Sequence, residues 1–457
     1  MSAISNDRPE TFKPFIRVLF KLALPIAVQN FLNASMALID TLMIGQLNET
    51  AIAAVGIANQ FVFIFIVVQY GIHSGVSVFT AQYWGRKEYG KLKKLIGISL
   101  LGGGFISLFF TMAAVVFPEY LMGLFSRDGE VVRLGAGYLR TVGISFVVTA
   151  IAYAYMSNLR SIGVVRIPMY ACTIAVFMNI LLNWIFIFGN LGCPPLGVGG
   201  AALATCISKS LEGLLLVSLV FYNKYPIAAG FKEMLDVDLI FVKQILTTCW
   251  PVFFNELMWV IGISFYNLVY ARIGTDSIAA VNIVSSIENF VLIPFFGLFH
   301  AGAIMVGNSI GAGRRDAAYN YGKYLLRIQF LMAILAGGLM ILSRDLVLGF
   351  YNVSDAAYMN AYHLMAVAGI ALCVKITNFT NVVCVLRGGG DTRFAFWVDL
   401  SGVWFIGVPM SFLGAFYFNL PVYWVMAMVV SEEIYKLGIG IRRFRSRKWI
   451  QNLVAEN

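Results

Sequence analysis

The chain has 457 residues, of which 60% are apolar and 12% charged, and its mean hydropathy is +0.80. Soluble proteins carry roughly 25% charged residues, so a soluble enzyme or binding module is excluded and lipid must be the solvent for most of the surface. The formal charge of +10 does not point to nucleic acid, because the basic residues lie in short clusters between apolar runs, as the positive-inside rule places them.

The N-terminus, MSAISNDRPETFKPF, is polar, and the apolar run after it is too long for a signal-peptide core, so no cleavable signal peptide is expected. Apolar runs of membrane-spanning length predict twelve helices, near 15–45, 52–82, 94–117, 131–159, 167–189, 199–222, 241–271, 278–310, 319–343, 356–385, 394–417 and 421–441. Gly192-Cys193-Pro194-Pro195-Leu196-Gly197 separates the fifth from the sixth, and Asn419-Leu420-Pro421 the last two. The first two exceed bilayer thickness, which predicts tilt, kinks or projecting ends. Residues 223–240 form the longest polar connection and divide an N-lobe, 1–222, from a C-lobe, 241–457, that ends in a basic tail. The six cysteines are scattered singles without metal spacing, so neither disulfides nor a thiolate metal site is expected.

Two stretches are copies of one another. Pro25 and Pro251, and Ile52-Ala53-Ala54-Val55 and Ile278-Ala279-Ala280-Val281, stand at one constant offset. His73-Ser74-Gly75 matches His300-Ala301-Gly302, Gly85-Arg86-Lys87-Glu88 matches Gly313-Arg314-Arg315-Asp316, and Leu159-Arg160 with Gly163 and Arg166 matches Leu386-Arg387 with Gly390 and Arg393. Six helices per half give both halves the same orientation. The expected fold is therefore all-α, with two pseudo-symmetric six-helix lobes around a central cleft, as in many secondary transporters. Arg127, Arg133, Arg140, Arg272 and Arg344 fall on one side and Lys209 and Lys375 within helices. The other basic residues, counted with the termini and the even-numbered connections, put both termini in the cytoplasm.

The repeat and its surrounding motifs also resemble the MATE family (multidrug and toxic compound extrusion). The motifs are Pro25 with Asp40-Thr41, Gly45 and Ala51-Ile52-Ala53-Ala54-Val55; the GRKE and GRRD loops; Asn179 with Asn183-Trp184-Ile185-Phe186; Gly199-Gly200-Ala201-Ala202-Leu203-Ala204-Thr205; and Leu386-Arg387-Gly388-Gly389-Gly390-Asp391-Thr392. The resemblance covers nearly the whole chain. It implies efflux of organic, mostly cationic compounds driven by entry of H⁺ or Na⁺, without another cofactor. It also implies that an acid at Asp40 belongs to a cation-binding network with Asn179, Asn183 and Thr205. Some members carry a second acid where Asn183 stands, and its absence here weakens the case for Na⁺. The family's exporters often carry an acid on the seventh helix, sometimes where Trp259 stands here. Many also carry one on the tenth, where this chain has Lys375, Thr377 and Asn378.

Acids within apolar helices are expensive and mark functional sites. Asp40 lies deep in the first helix, where desolvation favours the neutral form and lets a carboxyl load and release a proton. Asn179 and Asn183, four residues apart, share a helix face, and their carbonyl oxygens with the Thr205 hydroxyl suit either Na⁺ or a protonated Asp40. Asp40 is thus the candidate Na⁺ ligand. The structural alternative is a network that only fixes helix packing. Glu256, whose repeat mate is Asn30, is a candidate for pairing with a cationic substrate, for coupling a proton, or for both in turn, against the alternative of a carboxylate reaching the cytoplasmic interface. Glu288, Trp259 and Tyr266, the repeat mate of Asp40, complete the expected substrate site, with aromatic faces for flat cations. Lys375 is expected to neutralise Glu256 or another acid, and Asp399 to answer Lys375. Lys209 and Glu212, three apart, are expected to pair with each other. Asp391 is expected to serve the start of the eleventh helix, and Glu432 and Glu433 to sit near the cytoplasmic interface. His73 and His300, kept in both copies, are expected to pack rather than shuttle protons.

The reading is a monomeric efflux antiporter of the cytoplasmic membrane that handles lipophilic organic cations or other small drugs, in contact with the bilayer and without nucleic acid. A lipid-linked precursor flippase is the alternative; it would need a strongly basic cleft, and the intramembrane residues are mostly acidic or neutral. A structural or sensory membrane protein is less consistent with unequal buried acids in a repeat. No phosphate-binding loop is present, so neither an enzyme nor an ATP-driven pump is expected.

Overall fold

The computed structural model describes residues 12–455; Met1–Thr11, with most of the segment used in the signal-peptide reading, and Glu456–Asn457 lie outside the described residues. Among the described residues the regular structure is helical, apart from one isolated antiparallel bridge between Gly390 and Ile450. In chain order the long helices are α1 Phe12–Gly45, α2 Glu49–Arg86 and α3 Tyr89–Val116. Next come α4, made of Gly129–Ile144 and Phe146–Ser161, α5 Arg166–Phe188 and α6 Val198–Tyr222. The second half holds α7 Leu239–Ile273, α8 Thr275–Gly311, α9 Arg315–Leu342 and α10 Asp355–Arg387. It ends with α11 Thr392–Tyr417 and α12, made of Val422–Val429 and Ser431–Arg445.

Each expected span meets one of these helices, but not all are simple rods. Ten are long and apolar enough to cross a membrane singly, and α4 makes eleven as a pair bent by 48°. The twelfth segment, α12, is two pieces of 8 and 15 residues broken at Val430, and its second piece carries Ser431-Glu432-Glu433 and Lys436. In the C-terminal half, α10 ends in a π-helical segment, Thr380–Arg387, and α11 contains two more, Val403–Gly407 and Leu413–Tyr417. Such widened turns leave backbone less tightly packed and recur at functional sites.

Caps set several boundaries. The Asn48 side chain accepts the Ala51 N–H at 2.7 Å, Ser354 that of Ala357 at 3.2 Å, and Lys87 ends α2 in the left-handed region at φ 66°. Apolar helices in lipid gain little from the hydrophobic effect between them, so close backbone approach matters. Gly337 of α9 shows this: a Cβ there would lie 2.2 Å from the Gly369 carbonyl oxygen of α10.

The described chain forms two compact units, Val28–Cys249 on the one hand and Met1–Ala27 with Trp250–Asn457 on the other. Lobes cut at 223–240 differ from these units in two places. The first part of α1 belongs with the C-terminal half, and the first part of α7 belongs with the N-terminal half. Both joints fall beside the repeat-mate prolines, Pro25 and Pro251, each inside its helix. A proline removes one backbone hydrogen bond and crowds the preceding turn, so it loosens the helix there. In the unit Val28–Cys249, the connection after α6 is anchored rather than loose. Its short helix Phe231–Leu235 lies on Gly97 of α3, and Lys93–Glu233 (2.5 Å) and Lys94–Asp236 (2.9 Å) ion pairs hold it. Hydrogen bonding to these lysines holds both carboxyls below the usual range.

Candidate functional site

Asp40 lies on the part of α1 that belongs to the unit Val28–Cys249. Its half-buried carboxylate accepts a 2.5 Å hydrogen bond at Oδ1 from Asn183 Nδ2 of α5. The same Asn183 nitrogen donates to Asn179 Oδ1 at 3.1 Å, and Asn179 Nδ2 reaches Ser208 Oγ of α6 at 3.4 Å. Ser208 Oγ in turn donates to the Thr205 carbonyl at 3.0 Å. Asn179 and Asn183 are completely buried, so the helical spacing that puts them on one face also puts them inside the unit.

The four sequence-derived coupling residues are therefore brought together on α1, α5 and α6. Two partners were not read from the sequence. Ser208 connects Asn179 to α6. Tyr138 of α4 is buried, hydrogen-bonds with Thr205 and lies within electrostatic reach of Asp40. Nothing in a single apolar stretch distinguishes Tyr138 from the chain's other tyrosines. Lys209, paired with Glu212 at 2.9 Å as its spacing predicted, is the basic group whose charge reaches Asp40.

The donor set fits a hard monovalent cation or a proton. Asp40 supplies a carboxylate, and Asn183 Oδ1 is buried without a hydrogen-bond partner. Buried polar atoms are normally satisfied, so this oxygen is a spare acceptor beside a carboxylate. Oxygen ligands of this kind suit hard cations, and a protonated Asp40 would use the same acceptors as a donor. Among the described residues no cluster of three or more His, Cys, Asp or Glu is spaced to hold a metal ion.

The residues expected to bind substrate are not one cluster. Glu256 Oε1 pairs at 2.7 Å with Arg387 Nη1, and Arg387 is only 3% exposed. Arg387 closes the π-helical end of α10, so this pair ties α7 to α10. Of the two expectations for Lys375, it is the other acid that holds: Lys375 pairs with Glu288 at 2.5 Å, not with Glu256. Tyr266 turns to Glu432 of α12, donating its hydroxyl to Oε2 at 2.6 Å. Trp259 is 41% exposed. Asp399 answers Asn255 Nδ2 at 3.2 Å and Lys436 rather than Lys375. Asp391 precedes α11 without capping it, being held by Arg443 at 2.7 Å and Gln451 at 3.0 Å.

Glu432 and Glu433 lie inside α12. They start the second piece of α12, in mid-helix, and Lys436, counted with the cytoplasmic tail, is buried with them. His73 is buried and hydrogen-bonded to Ser99 (3.3 Å) and Gln69 (3.1 Å), which fits packing. The repeat mates Arg160 and Arg387 show the division between halves. Arg160 takes the neutral Gln29 at 2.5 Å where Arg387 takes the acid Glu256.

Comparison with known proteins gives these residues a context. The MatE family profile matches residues 25–185 and 251–413, starting at Pro25 and at its repeat mate Pro251. The chain is 26% identical over 465 residues to the uncharacterized transporter YisQ of Bacillus subtilis, covering 99% of this chain and 98% of that protein. It is 24% identical to the probable multidrug resistance protein NorM of Thermotoga maritima, with 99% and 97% covered. Among solved structures, a MOP superfamily transporter from Pyrococcus furiosus matches with a TM-score of 0.86 at 19% identity over 96% of both chains. A MATE protein described in a bent conformation matches with a TM-score of 0.86 at 19% identity over 95% of both. With both halves of the repeat matched, the chain belongs to the MATE family of multidrug transporters and is a multi-pass membrane protein, not an enzyme.

Proposed function

We propose that this protein is an antiporter that exports lipophilic organic cations and other small drugs in exchange for H⁺ or Na⁺. It acts as a monomer in the cytoplasmic membrane with both termini in the cytoplasm. The observation that carries the reading is the hydrogen-bonded chain from Asp40 through Asn183 and Asn179 to Ser208, with the spare Asn183 Oδ1 beside it. Neutralising Asp40 by a proton or Na⁺ changes which groups around it donate and accept. That change gives α1 two arrangements, with Pro25 and the joint after Ala27 as the place to absorb the difference.

The substrate's charge is met on the C-terminal side. Glu288 is the better candidate there, because its Lys375 partner is 45% exposed and displaceable by another cation, whereas Glu256 is held by a buried arginine. The exposed Trp259 ring offers a face for a flat cation.

Exchange requires that ion and substrate oppose each other's binding, and that coupling is reciprocal. Equilibrium binding of ethidium to the purified protein, followed by fluorescence while pH or Na⁺ is varied, tests this. The expected result is a loss of affinity of about 5–150-fold as the coupling ion saturates, the range for coupling of about 1–3 kcal/mol. Identical affinity at every pH and Na⁺ concentration would contradict antiport.

A further inference from the structure

The connection from α6 to α7 is held in a fixed shape within the unit Val28–Cys249. Lys224, in the left-handed region at φ 51°, turns the chain at the end of α6, and the Tyr225 N–H donates to the Val220 carbonyl at 3.1 Å. Ile227 and Ala229 are buried. At the start of the short helix Phe231–Leu235, the Gly230 N–H donates to Glu233 Oε2 at 3.0 Å. The helix backbone lies against α3, where a Cβ on Gly97 would come within 2.3 Å of the Met234 carbonyl oxygen.

This fixed frame presents large apolar side chains outward. Phe231 is 85% exposed, Leu235 61%, Leu239 83% and Ile240 76%. Phe231 and Leu235 are four residues apart and share one face of the short helix, while Met234 faces inward and is buried. An apolar patch of this kind on a connection between helices marks an interaction surface.

Charge and position identify what covers it. The acids of the connection are engaged: Glu233 with Lys93, Asp236 with Lys94, and Asp238 at the start of α7, where it accepts the Ile240 N–H at 3.4 Å. Lys224, Lys232 and Lys243 are exposed, and among the described residues none of the three is in an ion pair. The outward side of the connection is therefore apolar and basic, the composition of a segment lying in the plane of an anionic membrane surface. Leu239, Lys243 and Leu246 stand at i, i+4 and i+7 on one face of α7. Leu246, inside a span, is 56% exposed and so faces lipid. The patch thus continues the lipid-facing stripe of α7 to the end of that helix.

We propose that this connection is an in-plane foot on the cytoplasmic leaflet. Phe231, Leu235, Leu239 and Ile240 enter the boundary between headgroups and acyl chains, and Lys224, Lys232 and Lys243 bind the phosphates of anionic phospholipids. The foot fixes the end of α6 and the start of α7 at leaflet depth. From the antiport reading it takes only the placement of this connection on the cytoplasmic side.

Full-length protein carrying Phe231→p-benzoylphenylalanine is placed in nanodiscs of mixed phosphatidylcholine and phosphatidylglycerol and irradiated, and the adducts are identified by mass. The same probe at Leu235, on the same face, is the second variant. The expected product is a phospholipid adduct in which phosphatidylglycerol exceeds its share of the lipid by at least about fivefold, the effect of one basic residue near an anionic surface. Lys224→Gln, Lys232→Gln and Lys243→Gln together are expected to return the adducts to the lipid ratio in a protein that stays monodisperse. Adducts to this chain or to a second copy at both probe positions would overturn the proposal, as would a probe that reacts with water alone. A phosphatidylglycerol share equal to that of the bilayer, with the three lysines present, would overturn it as well. Every outcome is read without transport, so a failure here leaves the ion-coupled reading untouched.

Discussion

Asp40→Asn protein loses most of the wild-type rate of drug export, and its residual transport no longer responds to pH. The substitution is nearly isosteric. An asparagine at this place still has a carbonyl oxygen to accept the Asn183 Nδ2 hydrogen bond, so the link from α1 to α5 survives. What it cannot do is change charge. It neither releases a proton to leave a carboxylate nor supplies a charged oxygen to a sodium ion. A role limited to helix packing predicts the opposite pattern, because the packing contact is kept: near-normal rate with pH dependence intact. Dye efflux from cells or vesicles over a pH series, with expression and monodispersity matched, separates the two.

Arg387→Ala is expected to cost about 3–5 kcal/mol of stability, because it strands the Glu256 carboxylate in a buried setting. Glu256→Gln should cost less, since the amide oxygen still accepts from the guanidinium. Replacing both members with apolar residues of similar volume should recover much of the loss, because buried pairs are costly to break and cheap to exchange for packing. Thermal unfolding in detergent measures the order. If Glu256 instead served chiefly to bind substrate, Glu256→Gln would weaken drug binding while leaving thermal stability unchanged. The Arg387→Ala loss would then also be small.

The architecture was legible because membrane helices declare themselves by length, and because a repeat with constant spacing constrains both halves at once. Helical spacing put Asn179 and Asn183 on one face, but their association with Asp40 was legible only through the resemblance to the MATE family. The same resemblance supplied Thr205, and the fold placed it on the neighbouring helix.

What the chain hid were the pairings that depend on how helices rotate against each other. Glu256 has an arginine 131 residues away as its partner, and nothing local indicates which of several buried bases it meets. The buried contacts of Glu432 and Glu433 were hidden by the basic residues that follow within a few turns. The break at Val430 and the widened turns of α11 instead open a place for them in mid-helix. The position of the unit boundaries inside α1 and α7, rather than at the polar connection, was marked only by two prolines whose effect depends on the packing around them.

The most direct test of ion-coupled export is exchange in proteoliposomes, with ethidium transport followed while a pH gradient and a Na⁺ gradient are imposed one at a time. Wild-type protein is expected to accumulate the dye against its concentration when one of the two gradients is present, to stop when that gradient is dissipated, and to lose this response in the Asp40→Asn protein. Transport that continues unchanged after both gradients are dissipated would contradict the account.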